Sequence, residues 1–383
     1  MNGLSHKLVQ VPPGVQCFVG EEARRRRWIE RQVEEVFEGW DYQEIIPPLF
    51  DYADVFAGRA LTPRTYSFVG RDGSLLALRP DFTSLLAKVA AGRLADQPPP
   101  LRLFYSGEVL RYEPPKAGLQ SELFQVGLEH LGGGGREADV EVLAIAAEAL
   151  ERLGVEGWVL ALGHAGVLGG LLAEARLNDT AADLLRERVA GKDAAGVQET
   201  LERERVHPQV SEALLRIVTL AGDSRVLDQA ARAVGFSEPA LAAVCELRQI
   251  VDALEQAGLA GRVAIDLGEA RGLDYYTGVV LRIYARGLGF ELGGGGRYDT
   301  LLARFGRPMA AVGFSLGLDR LSLLLERQGR LGPGPAPDAE SVAASGLAAS
   351  LIQARQRRAA GVRVRFAVQD DHPGAASPGG TGQ

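Results

Sequence analysis

The segment Leu101–Gly132, LRLFYSGEVLRYEPPKAGLQSELFQVGLEHLG, most narrows what this chain can fold into. Two runs of alternating apolar and polar residues flank a Pro/Gly stretch, the pattern of two strands joined by a loop. Arg111 and Glu113 end the first run, and Gln125 and Glu129 lie on the second. Residues four apart on a strand point to one face, so Gln125 and Glu129 share a face with apolar Leu123. An arginine at a strand end offers a bidentate fork to phosphate or carboxylate, or forms an edge-strand ion pair with Glu113. A carboxylate on the next strand accepts from an imidazole N–H or an amine, or faces solvent on a polar sheet surface.

The remaining chain predicts helices around that sheet. In residues 21–39, Ile29, Val33, Val36 and Phe37 make one apolar face, with Arg24–Arg27 expected on a solvated one. YQEIIPPLF reads as a short strand stopped by Pro47 and Pro48, and TYSFV–RDGS–LLALR as a hairpin. Helices are expected over 80–95, with Asp81 in the first turn, and over 136–153, followed by a strand at WVLALG. From 166 to 261, Ala, Leu, Glu and Arg dominate and strand signals vanish, so a helical insertion is expected there. Strands return in VAIDLG, LDYYTGVVLRIYA and AAVGFSLG, with a helix over 297–305 and another in GLDRLSLLLERQ.

The expected organisation is α+β: a core from 1–165 and 262–329, the insertion 166–261, and a low-complexity C-terminal tail 330–383. Within that tail, SLIQARQRRAAGVRVRF has the makings of one helix and one strand. Apolar content of 46% supplies ample core, while a net charge of −7 has the wrong sign for a general polyanion binder. Cys17 and Cys245 lie too far apart in sequence to suggest a zinc knuckle or disulfide framework. There is no signal-peptide h-region and no uncharged stretch of membrane-spanning length, so a cytoplasmic protein is expected.

Three further constellations carry chemistry. In Arg271–Tyr276, RGLDYY, strand alternation would set Asp274 and Tyr276 apart from Tyr275. In GGGGRYD (293–299), glycines before a helix let backbone approach a ligand and present N–H groups to an anion, or simply form a loop. In GFSLGLDRL (313–321), Arg320 stands one helical turn past a strand, within reach of a phosphate or out on a surface helix.

Taken in order, LRPDFT (78–83), FYSGEVLRYE, FQVGLEHLG, RGLDYY, GGGGRYD and GFSLGLDRL resemble the successive signatures of the class II histidyl-tRNA synthetase core, over about residues 12–328. That superfamily also holds a catalytically silent paralogue, the regulatory subunit of short-form ATP phosphoribosyltransferase, which transmits histidine feedback to a catalytic subunit. The resemblance implies a class II synthetase-like antiparallel sheet flanked by helices, with a helical insertion. It assigns Asp81, Thr83 and Gln125 to the α-amino group of histidine, and Glu129, Tyr275 and Tyr276, with Tyr298 beside them, to the imidazole. Arg271 matches the arginine facing the carboxylate. Arg111 and Arg320 match phosphate-facing arginines, Arg111 remaining a pocket residue.

Departures from the synthetase pattern sit in its nucleotide half. Leu119 and Ser121 stand at basic positions, and Leu123 stands where an aromatic stacks on adenine. LRPDFT replaces the synthetases' LRPEGT, and too little chain follows Gly329 for a folded anticodon-binding domain. The resemblance therefore implies a non-catalytic regulatory subunit with no catalytic residues, cofactor or metal. Its implied partners are L-histidine and an ATP phosphoribosyltransferase catalytic subunit, not tRNA or a membrane. It would form a homodimer, through the N-terminal helix and the Pro47 strand, within a larger hetero-oligomer. The alternatives are a histidyl-tRNA synthetase, to which the complete RGLDYY and Arg320 point, and a stand-alone histidine-binding adaptor.

Overall fold

The computed structural model describes residues 9–57, 65–112, 120–269, 275–330, 332, 338–343 and 346–366. Two compact units divide the chain, Met1–Gly332 and Pro333–Gln383. In the first, α1 (Gly20–Gly39) leads into β1 (Gln43–Glu44), and β2 (Phe50–Tyr52), β3 (Ser67–Val69) and β4 (Leu75–Leu78) form a small antiparallel sheet. Then come α2 (Thr83–Ala91), β5 (Leu101–Leu110), β6 (Glu122–Leu131), α3 (Arg136–Arg152) and β7 (Trp158–His164).

Six helices follow: α4 (Ala165–Ala175), α5 (Asp179–Ala190), α6 (Ala194–Arg203), α7 (Pro208–Thr219), α8 (Val226–Val234) and α9 (Glu238–Leu254). Strand β8 (Ala221–Gly222) interrupts them after α7. The chain returns to the sheet in β9 (Val263–Asp266), β10 (Val279–Ala285), β11 (Gly293–Arg297) and β12 (Ala311–Gly317), and α10 (Leu318–Arg327) closes the unit.

The large sheet has nine strands in the order β1-β5-β6-β12-β11-β10-β7-β9-β8. Its pairs are antiparallel except β1 with β5 and β7 with β9. The Leu101–Gly132 segment supplies its longest pairing, running from Leu101 opposite Leu131 to Leu110 opposite Glu122. One face is buried by α1, whose Ile29, Val33, Val36 and Phe37 meet the sheet; Phe37 stands edge-on to Phe104 and Phe314, each at 5.8 Å. The same apolar cluster continues without a break into Leu171, Leu185, Leu201, Leu214 and Leu247 of the helices between β7 and β9. The opposite face of the sheet carries a smaller cluster under α2 and is left open between β6 and β10.

Several expectations change here. GGGG is neither loop nor helix lead: it is β11, paired on both sides in the middle of the sheet, so its amides serve the ladder. The expected helix over 297–305 shrinks to a 3-10 turn, Leu302–Phe305. Tyr275 and Tyr276 precede the strand, which begins only at Val279. Within the arginine run, Arg26 is buried, not solvated: it pairs with Asp319 of α10 and lies 3.7 Å over the Phe18 ring. In the second unit, β13 (Glu340–Val342) and β14 (Val364–Phe366) pair in parallel around α11 (Leu347–Ala359), a β-α-β unit where a loose tail is expected.

Candidate functional site

Alternation along β6 aims Gln125, Gly127 and Glu129 at the open face, and sheet register extends that face sideways. Glu129 lies opposite Gly313, which lies opposite Gly296; Gly127 lies opposite Ser315, then Gly294, then Arg282. The middle of this face is therefore paved with glycine and serine. Every missing side chain there is replaced by a neighbouring polar one lying flat on the sheet. A Cβ on Gly127 would come within 2.7 Å of the Tyr105 hydroxyl, and one on Gly294 within 2.8 Å of Arg282 Nη1. One on Gly296 would meet the Tyr276 ring at 2.9 Å, and one on Gly313 would collide with the Glu129 carboxylate. Above this floor is a cavity of about 340 Å³.

The start of α2 makes one wall. Arg79, 6% exposed, donates from Nε to Glu108 O (2.6 Å) and from Nη1 to Pro47 O (3.0 Å), pinning the turn before the helix. Asp81 Oδ1 accepts from Ser84 N at 2.8 Å. Burial raises the Asp81 carboxyl pKa, opposed by that hydrogen bond and by Arg111. Arg111 lines the same cavity and donates from Nε to Pro80 O at 2.8 Å.

Glu129, 2% exposed, is the centre of the site. Its Oε1 accepts from Thr83 Oγ1 at 2.7 Å and its Oε2 from the Tyr298 hydroxyl. Burial pushes its carboxyl up to about 8 despite both hydrogen bonds. Tyr275 stacks on Tyr298 (5.1 Å, 22°) and stands edge-on to Tyr276 (5.2 Å, 80°), closing an aromatic wall. Beside Tyr298, on the far face, Arg297 pairs with fully buried Asp139 at 2.7 Å and donates to Gly135 O at 2.8 Å, which fixes the end of β11. Burial lifts the Asp139 carboxyl to about 6 against the pull of Arg297.

Asp81, Thr83, Arg111, Gln125, Glu129, Tyr275, Tyr276 and Tyr298 thus all line one cavity. Tyr275 and Tyr276 do so together, because irregular backbone frees them from strand alternation. Arg271, Asp274, Glu113 and Leu119 lie outside the described residues. Arg320 does not line the cavity: it donates to Glu291 O (2.8 Å) and stands over Phe290. The sequence reading missed Tyr105, Ser315 and Arg282 as lining residues. Only Arg282 had a legible signal, as the lone charge in the apolar strand VVLRIYA. Among the described residues no group of three or more His, Cys, Asp or Glu could hold a metal ion, and no helix is long and apolar enough to cross a membrane.

Chemically, the cavity offers carboxylates and hydroxyls on one side, arginines at Arg111 and Arg282, and stacked tyrosines between. That suits a small zwitterion with a planar, hydrogen-bonding ring. Residues 14–321 match the family described as Histidyl-tRNA synthetase. The ATP phosphoribosyltransferase regulatory subunit of Desulforamulus reducens is 37% identical over 337 residues, covering 87% of this chain and 83% of that one. Its counterpart from Symbiobacterium thermophilum is 39% identical over 360 residues, covering 93% and 90%. Among solved structures, an ATP phosphoribosyltransferase regulatory subunit/histidyl-tRNA synthetase from Bacillus halodurans superposes with a TM-score of 0.83 at 28% identity, covering 96% of this chain and 95% of that one. A histidyl-tRNA synthetase from a Nostoc species reaches 0.77 at 25% identity, covering 95% and 87%.

Proposed function

Since the chain belongs to the ATP phosphoribosyltransferase regulatory subunits, a family built on the histidyl-tRNA synthetase fold, we propose that it binds L-histidine in the glycine-floored cavity and reports its occupancy to a short catalytic subunit. The observation that carries this reading is the setting of Glu129, a buried carboxyl held by Thr83 and Tyr298 at the foot of a tyrosine wall. Asp81, Thr83 and Gln125 receive the α-amino group, and Glu129, Tyr275, Tyr276 and Tyr298 surround the imidazole. Arg111 is an arginine of the cavity within reach of the ligand, and the resemblance gives the carboxylate to Arg271.

The chain itself performs no chemistry in this reading. The relatives carry regulatory-subunit names, and the catalytic subunit does the phosphoribosyl transfer. Histidine acts by differential affinity for two arrangements of the complex. Exposed Ile46, Leu49, Phe50, Phe68, Val69 and Leu75, on and around the small sheet, support a homodimer; in this reading it works within the hetero-oligomer, in the cytoplasm.

The test is reconstitution with a short catalytic subunit. Addition of this chain is expected to switch on phosphoribosyl transfer, and histidine to suppress it, with a calorimetric histidine site on this chain. Histidine-dependent ATP–pyrophosphate exchange at synthetase-like rates would overturn the reading in favour of amino-acid activation.

A further inference from the structure

The second unit buries too little to complete its own fold. Among its described residues, only Val342, Ser350 and Ala354 are buried. A parallel strand pair is ordinarily part of a larger sheet covered on both faces. Helix α11 turns Ser350 and Ala354 inward and ties Arg357 to Glu340 of β13, Nε donating at 2.9 Å. A different stripe of the same helix carries Leu347, Leu351, Arg355 and Arg358, at i, i+4, i+8 and i+11, with Ile352 at its edge. All five are exposed, Leu347 at 86%, Leu351 at 51% and Ile352 at 58%. No residue of α11 is acidic, and among the described residues neither Arg355 nor Arg358 has an ion-pair partner. Over residues 338–366, Arg355, Arg357, Arg358, Arg363 and Arg365 face only Asp338 and Glu340, in a chain of net charge −7.

We propose that this stripe of α11 docks an acidic amphipathic helix of the catalytic subunit, one whose apolar face is flanked by Asp or Glu. The proposal rests on the regulatory-subunit reading above, which supplies that partner. None of the residues concerned lines the histidine cavity. Leu347, Leu351 and Ile352 bury against the partner's apolar face, and Arg355 and Arg358 offer their forks to its carboxylates. Charge selects among the occupants. A second copy would set an arginine-bearing helix without acids against another, and like charges repel. A lipid surface rewards buried apolar area, and α11 offers three large apolar side chains over 13 residues. An acidic helix satisfies both halves of the stripe, and it covers the side of the unit that the strand pair leaves bare.

The experiment is sedimentation of the full-length chain with a short ATP phosphoribosyltransferase catalytic subunit, at about 50 mM and about 500 mM NaCl. Wild type is compared with Leu351→Asp/Ile352→Asp and with Arg355→Gln/Arg358→Gln. The first variant is expected to weaken association about tenfold or more at both salt concentrations. The second should weaken it about tenfold at low salt and flatten its salt dependence, since the screened attraction is gone. Histidine affinity should stay at the wild-type value in both. If the first variant does not fold, the second decides the matter. Association of both at wild-type strength and wild-type salt dependence overturns the proposal and leaves the regulatory reading standing. Failure of the wild type to associate at all overturns that reading, and this proposal with it. Self-association of the chain, or binding to phosphatidylserine vesicles, that both variants abolish overturns the proposal by seating a different occupant on α11.

Discussion

Burial makes Glu129 a group on which the folded state prefers a proton. Its folded pKa of about 8 lies above that of an unfolded glutamate, about 4.3. Its favourable contribution is therefore complete below the unfolded value and is lost as pH rises through the folded one. Stability of the ligand-free protein should fall between pH 5 and pH 9 because of this group. Glu129→Gln keeps a hydrogen-bonding side chain without the ionisation, and its gain over wild type is expected to be about 4 kcal/mol larger at pH 9 than at pH 5. Thermal melts at both pH values measure this. The same substitution removes a carboxyl that can ionise towards a donating ligand, so histidine affinity should drop roughly 10- to 100-fold. A variant that melts like wild type at both pH values would mean that the carboxyl is not desolvated as described.

The elements differ in how far their sequence announced them. The β5–β6 pair was legible because both strands alternate, and the alternation itself placed Gln125 and Glu129 on one face. Strand β11 was not, since a run of glycines has no side chains to alternate and reads equally as a loop. Its role follows only from register, which sets Gly294 and Gly296 beside Ser315 and Gly313. The arginine run of α1 misled for a related reason. Helical periodicity finds the apolar stripe but cannot show that α10 brings Asp319 to Arg26. That pair is nearly buried, at 10% and 16% exposure, and Asp319 also accepts from Phe124 N at 3.1 Å. Arg26→Ala strands a buried carboxylate and is expected to cost about 3 kcal/mol, read from denaturant unfolding, whereas Arg27→Ala should cost far less. Equal costs would show that the pair is not what joins the two helices. Arg282 lay in plain view, but a lone charge in a strand says nothing of its partner until Glu269 is in place.

The proposed dimer would use the small sheet, where Val69 is 70% exposed, and the segment before it, where Ile46 is 84% exposed. Such a surface is costly to leave wet, and Val69→Glu is expected to shift the protein from dimer towards monomer in sedimentation without changing histidine affinity. A protein that is monomeric before substitution would locate the association elsewhere. Within Met1–Gly332, the continuous cluster from Phe37 through Leu171 to Leu247 has a consequence for signalling. A sheet and a helical insertion that share one packed interior are expected to move as one body. In the proposed function, occupancy of the cavity would then reach the catalytic subunit as a shift of the unit against its neighbours, or through loops at the rim. Spin-label distances between α7 and β12 should therefore remain unchanged when histidine binds, while distances to the catalytic subunit change. In mechanical terms this unit is a lever, not a pair of jaws.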